Sequence, residues 1–360
     1  MKSLYTLLVA LAAGATAVTT PIDLKLSSVG GSRVKVTITN TNQDTGYNIL
    51  KVNTVLEDFH TKRLTITNGG TEVDFTGITG ATYIADELDE ESFFPLLPGQ
   101  TREVVIDVAE GYWVHKTDTS RHDIIATGWF HYAALNSTQI VKNDGFPYTS
   151  NTLSIDIDQA EAKIVFDKYT AQKLAKRVDI SSTCEGSEIT KLKQALMDCK
   201  EIAHNAAEDV REGTSSYYSK YFFRLDWQEV KGRLEAISSH CGSLGVFDAV
   251  IYCRDPYTVS RCTTRGVAAY SRDKDDTIVL CPAYFQLPGI RRACNGYTSG
   301  SMAGAMIHEL THMSRVYTPI CSDYAYGSAR SARLCRDYAT GNADSYALYA
   351  MDLFLGCLAL

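Results

Sequence analysis

AMIHELTHMSRVYTPICSDYAYG, residues 305–327, sets two histidines four positions apart with a glutamate directly after the first. On an α-helix a four-residue step turns about 40°, so His308 and His312 project from one face. Two imidazoles so placed can bind one zinc ion from a rigid support. Glu309, about 100° further round, reaches the metal's open side rather than the metal. There it can take a proton from a water whose pKa the metal has lowered to about 7. Met302, Met306, Leu310 and Met313 recur at helical spacing and predict a helix buried in a core. Ala303, Gly304 and Ala305 allow neighbours to pack closely against it.

A catalytic zinc takes three protein ligands and leaves one position for water or substrate. Pro319 ends any helix, and the loop after it returns Asp323 toward the metal. No histidine follows His312, so the third ligand is expected to be a carboxylate: Asp323, Asp337, Asp344 or Asp352. His204 and His240 stand alone and read as surface or packing residues.

The rest of the chain supplies the setting. Its 360 residues suit two domains, and 45% hydrophobic residues suffice for real cores. A net charge of −7 argues against broad binding to nucleic acid. Lys2 precedes an apolar run, LYTLLVALAAGATA, ending in Ala15-Thr16-Ala17. This is the pattern of a secretory signal peptide over residues 1–17, too short to span a bilayer. All 10 cysteines stand at or after Cys184, as a secreted chain with a disulfide-braced second half would have them. Lys176-Arg177, a dibasic pair of the kind secretory processing proteases cut, falls at that same boundary. We therefore expect a propeptide over 18–177 and a mature protein over 178–360.

The expected propeptide is β-rich. SRVKVTITN, TREVVIDVA and NTLSIDIDQ alternate apolar and polar residues, with turns at Asn68-Gly69-Gly70 and Pro98-Gly99, and suggest a small antiparallel sandwich. Asn136-Ser137-Thr138 is a glycosylation acceptor. After residue 178 helical periodicity takes over. Ile189, Leu192, Leu196 and Ile202 lie on one helix ending at Gly213, and Val230, Leu234 and Ile237 on another. DAVIYC and DTIVLC read as short strands, and further helices surround SGSMAGAMIHELTHM and NADSYALYAMDLFLGC. The fold class is α+β: a mostly helical domain with a small sheet, preceded by the β-rich segment.

His308-Glu309-x-x-His312 followed by Asp323-x-x-Tyr326-Gly327 resembles the deuterolysin, or neutral protease 2, family of fungal secreted zinc metalloendopeptidases, the aspzincins. CRDPY at 253–257 and NADSYALYA at 342–350 extend the resemblance, as does the whole layout of the chain. The resemblance implies a zincin-like fold and one Zn²⁺ per chain held by His308, His312 and Asp323, with Glu309 as general base and acid. Asp344 is the rival ligand; its other readings are to orient a histidine or to serve the start of a helix. Tyr326 and Tyr284 match family tyrosines that could stabilise an oxyanion. The resemblance also implies disulfides Cys184–Cys253, Cys262–Cys281 and Cys294–Cys357. Cys199, Cys241, Cys321 and Cys335 are additional, with Cys199–Cys241 and Cys321–Cys335 the expected pairs; the alternative for Cys321 is a free thiol near zinc. Ile320-Cys321-Ser322 replaces the family's Gly-Thr before the aspartate, which bears on activity level and specificity.

The expected function is that of a secreted zinc endopeptidase made as a zymogen. The alternative is a secreted zinc-binding effector without turnover, which would not need Glu309. Expected partners are protein or peptide substrates, a secretory-pathway processing protease and the chain's own propeptide. No nucleic acid, membrane or second subunit is expected. A preference for basic proteins such as histones and protamines is implied by resemblance alone. Residues 178–360 carry 19 Lys+Arg and 21 Asp+Glu, so no strong global field favours it.

Overall fold

The computed structural model describes residues 20–141, 144–173, 183–242, 250–257, 260–290 and 300–356. The expected signal peptide, Lys176-Arg177 and the Cys294–Cys357 pair lie outside the described residues.

Alternation becomes pleated sheet where the sequence shows it. In strand Arg33–Asn40 the side chains of Val34, Val36 and Ile38 are buried, while the residues between them face outward. The strand sits between Ile22–Ser28 and Thr101–Asp107, antiparallel to both. A four-stranded antiparallel sheet runs Leu153–Asp156, Arg121–Ile125, Thr65–Asn68, Thr71–Glu72. Its last turn is the Asn68-Gly69-Gly70 stretch, where both glycines adopt positive φ that a side chain would oppose. Val36, Ile38, Ile66, Ile124 and Ile155 from the two sheets share one core. Helix Gln159–Lys173 was not legible. Its inward side is narrow, Ala162, Val165, Phe166 and Tyr169, and is obscured in the sequence by Ile164, which is 69% exposed.

The C-terminal part is built on helices. Ser187–Asp209 buries Leu192, Leu196 and Ile202 as their spacing predicts. The stretch after it, read as one helical theme, is two helices, Ser216–Tyr221 and Trp227–Gly242, because the backbone turns extended at Phe222. Ala343–Leu355 follows near the end of the chain. Helix Met302–Thr311 lies against Ser187–Asp209 and Ala343–Leu355, and its residues after Met302 are all buried. It also packs against helix Trp227–Gly242 and against a sheet.

That sheet draws on both parts of the chain. Val250–Tyr252 runs parallel to Thr277–Leu280, which is antiparallel to Val267–Arg272. The last of these was not singled out in the sequence, since all six residues of VAAYSR are buried and no alternation marks them. Its free edge is taken by Gly80–Tyr83, from the N-terminal part. The register pairs Val267 with Tyr83, Ala269 with Thr82, Tyr270 with Ala81 and Ser271 with Gly80. The molecule is thus a mixed α/β fold with several small sheets, one of them assembled from both halves of the chain.

Disulfides join Cys184–Cys253, Cys199–Cys241 and Cys262–Cys281. Cys321 and Cys335 are not joined, contrary to the expected pairing. The Cys321 thiol is buried and turned toward the Thr340 carbonyl, 3.6 Å away, whereas Cys335 is exposed at the start of a short helix. Among the described residues no helix is long and apolar enough to cross a membrane.

Candidate metal centre

Helix Met302–Thr311 begins at Ser301, whose hydroxyl accepts the Gly304 N–H at 2.9 Å, a side-chain cap for the first turn. His308 lies within the helix and His312 is its closing residue, so both imidazoles leave from the same side. The loop that follows is pinned back against the helix. Cys321 N–H bonds Thr311 O at 2.9 Å, and Ala325 N–H bonds the Asn342 side chain at 2.9 Å. Asp323 is carried to the imidazoles by these bonds.

Asp323 Oδ1 lies 3.0 Å from His308 Nε2 and 3.3 Å from His312 Nε2. These three atoms are buried, and none has a hydrogen-bond partner of acceptable geometry. Three orphaned polar atoms meeting at one point would be costly in a finished core. Tetrahedral ligands bound at about 2.0–2.1 Å stand about 3.3 Å apart, so the spacing matches a zinc site. The residues present therefore fit the metal.

The opposite ring nitrogens are already committed. His308 Nδ1 donates to Asp344 Oδ1 at 3.1 Å, and His312 Nδ1 donates to the Cys321 carbonyl at 3.0 Å. Both partners only accept, which puts the hydrogen on Nδ1 and turns the Nε2 lone pairs inward. Asp344 in turn accepts the Gly327 N–H at 2.6 Å. Of the candidate third ligands, Asp323 is the one brought to the imidazole Nε2 atoms. Asp344 stands behind His308, Asp352 bonds Lys220 and Tyr221, and Asp337 is on the surface.

Charge follows the same geometry. Burial alone would lower the His308 pKa, but the Asp323 carboxylate outweighs it and leaves the pKa well above its ordinary value. Burial would raise the Asp323 pKa, and His312 and His308 overcome that to hold it far below the usual carboxylate range. The cluster favours a cation at its centre.

Glu309 is buried beside these groups. Its Oε2 accepts the Ser271 hydroxyl at 2.7 Å, and its Oε1 accepts both the Thr82 N–H at 3.0 Å and the Thr82 hydroxyl at 2.7 Å. Tyr326 stacks against the His308 ring, with centroids 5.7 Å apart. Its hydroxyl donates to the Ala81 carbonyl at 2.8 Å and accepts from Asn53 Nδ2. Burial, and then the Asp323 charge, push its pKa well above the phenol value, so it remains a donor. Tyr284 departs from expectation. Its buried hydroxyl donates to Met302 O at 2.9 Å, six residues and about 9 Å of helix away from His308, where it fixes the helix start.

Ser271, Thr82, Asn53 and Gly80 were missed in the sequence. Gly80 and Thr82 arrive through the pairing of Gly80–Tyr83 with Val267–Arg272, Ser271 from the second of these strands, and Asn53 from a loop bonded to Ala81 and Tyr326. Asn136, by contrast, is exposed at a turn, as its glycosylation motif requires.

The family model of the deuterolysin metalloprotease (M35) family matches residues 1–357. A neutral protease 2 homolog of Arthroderma gypseum is 32% identical over 347 residues, covering 93% of this chain and 92% of the relative. Another, of Phaeosphaeria nodorum, is 33% identical over 343 residues, 94% and 92% of the two chains. A solved structure, a zinc peptidase from Grifola frondosa, covers 47% of this chain and 98% of its own at 23% identity, with a TM-score of 0.37. With its motif, its site and its relatives in agreement, the chain belongs to the deuterolysin family and is a zinc metalloendopeptidase.

Proposed function

We propose that the protein is a secreted endopeptidase, made as a zymogen, that binds one zinc ion through His308 Nε2, His312 Nε2 and Asp323 Oδ1. The observation that carries this reading is the meeting of those three buried, otherwise unpartnered atoms beside the Glu309 carboxylate. When bound, the metal supplies Lewis acidity, polarising the peptide carbonyl and acidifying water near neutral pH. Glu309 accepts the proton of the attacking water and returns it to the departing amine. Tyr326, protonated and beside His308, donates to the oxygen that gains charge as the carbonyl carbon becomes tetrahedral. Asp344 and the Cys321 carbonyl hold the two imidazoles with Nε2 forward.

Secretion and processing complete the proposal. The signal-like start, the three disulfides and the glycosylation motif all suit an extracellular protein. Cleavage after Arg177 would release 178–360, and residues 18–177 would act as the propeptide. The working form is a monomer, and its substrates include basic proteins such as histones. The test is to purify the processed chain, measure its zinc stoichiometry and assay casein and histone beside Glu309→Gln. One zinc per chain with activity confined to the parent is expected. An equally active Glu309→Gln enzyme would remove the mechanism, and equal turnover of both substrates would remove the basic preference.

A further inference from the structure

The strand Gly80–Tyr83 meets Glu309, His312, Asp323 and Tyr326, four of the groups that the proposed chemistry uses. It lies antiparallel on the open edge of Val267–Arg272, flanked by Thr79 N–H to Ser271 O at 2.8 Å and Ile84 N–H to Gly266 O at 2.6 Å. An extended peptide added to a sheet edge is a general way for proteins to hold a chain in fixed register. The Ala81–Thr82 peptide unit then falls between the two side chains that act on opposite sides of a bond to be broken. Its carbonyl accepts from Tyr326 Oη at 2.8 Å and Asn53 Nδ2 at 2.8 Å, and its N–H donates to Glu309 at 3.0 Å. Ala81 N–H also points at Asp323 Oδ2, 3.3 Å away.

Gly80 shows how tightly the strand is seated. A Cβ there would collide with the His312 ring, nearly equidistant from Nε2, Cε1 and Cδ2. The backbone therefore rests on the ring face and leaves the Nε2 lone-pair direction to the metal. Thr82 adds its hydroxyl to its own N–H on Glu309 Oε1, and Ser271 occupies Oε2. Three of roughly four acceptor positions of that carboxylate are filled, which weakens it as a base for water.

We propose that residues 80–83 are a built-in pseudosubstrate: the Ala81–Thr82 peptide occupies the place of a scissile peptide and keeps the uncut chain inactive by filling the site in cis. The proposal rests on the peptidase reading above and deepens it. Removal of the N-terminal part after cleavage at the 177 boundary then uncovers the edge strand and frees Glu309 Oε1 together, leaving Ser271 on Oε2.

The test uses the full-length, zinc-loaded chain kept uncut by Lys176→Ala/Arg177→Ala, compared with the processed chain. Binding of a fluorescent peptide hydroxamate is followed by polarisation, alongside turnover of a quenched peptide. The uncut parent should bind the probe at least about tenfold more weakly than the processed chain. Gly80→Val, which cannot rest on His312, should restore most of that binding in the uncut chain. Thr82→Val keeps a β-branched side chain but loses the hydroxyl bond to Glu309, and should restore about three- to tenfold. Circular dichroism and thermal melts identify folded variants. If both variants fold and bind the probe no better than the uncut parent, or if mass spectrometry shows the parent cut at Ala81–Thr82, the pseudosubstrate assignment is wrong. A processed chain that binds probe but hydrolyses nothing would defeat the peptidase reading, while the probe comparison would still decide what fills the site.

Discussion

The two halves of the molecule contribute to one site by different physical means. The C-terminal part supplies His308, His312, Asp323 and Glu309 from a buried helix and a loop pinned to it. Among the described residues, the N-terminal part adds none to that histidine–aspartate group. It offers a strand, one asparagine and a set of polar bonds to the other half. The first half of the chain has no cysteine, whereas the second carries three disulfides among the described residues. What differs is the kind of bond: the second half is braced by disulfides and helix packing, whereas the two halves meet through sheet pairing, polar bonds and a small apolar cluster in which Ile78 and Ala81 join Val267 and Tyr270.

The sharpest way to break that contrast is to remove chemistry from the braced side alone. Glu309→Gln keeps the shape and one acceptor oxygen, which Ser271 can still use, but not the base. Activity of the processed enzyme should fall about 10³-fold or more while zinc content stays at the parent value. Next in size is the contact between the halves. Arg261 is fully buried, and its Nη2 lies 2.8 Å from Glu57 Oε2, which is also buried. Glu57→Gln leaves a buried guanidinium without its counter-charge, and removing one member of a buried pair typically costs about 3–5 kcal/mol. Attachment of residues 18–177 to the cut enzyme, measured by size exclusion or calorimetry, should weaken by at least about a hundredfold. Unchanged attachment would show that the ion pair is not part of what holds the halves together.

How legible each region was follows from the kind of signal it carries. The alternation of Val34, Val36 and Ile38 announces a strand because one face meets a core and the other meets water. Helices Ser187–Asp209 and Trp227–Gly242 are legible through the same one-sided burial at a period of 3.6. Val267–Arg272 gave no such signal because both faces are covered, and Gln159–Lys173 gave none because so little of it is buried. At the site, His308, Glu309 and His312 are local, so one helical step relates them. Asp323 needed a loop to fold back, and the resemblance to a family chose it among four aspartates. Gly80, Thr82 and Asn53 could not be read at all, since a glycine and a threonine in a strand carry no chemistry until the register puts them on an imidazole and a carboxylate.

A smaller effect sharpens the covalent side of the comparison. Cys199 and Cys241 are buried and join helix Ser187–Asp209 to helix Trp227–Gly242 across 42 residues. A loop of that size is worth about 3–4 kcal/mol by chain entropy. Cys199→Ala/Cys241→Ala should lower the melting temperature of the processed enzyme by several degrees, leaving its zinc content intact. A drop in zinc affinity equal to that caused by a histidine substitution would mean that the bond shapes the site itself.

The smallest effect tests whether the orientation of a ligand matters apart from its identity. Asp344 touches His308 Nδ1 and the Gly327 amide, and not the Nε2 side where the metal would bind. Asp344→Asn preserves the size and one acceptor oxygen, but it removes the charge that supports the imidazole. Outer partners of this kind are worth about 10–100-fold in metal affinity or activity. We expect zinc affinity, read by competition with a chelating dye, to weaken within that range and activity at saturating zinc to fall less. Loss of zinc as complete as in His308→Ala would instead make Asp344 a ligand, and the assignment of Asp323 would have to be exchanged with it.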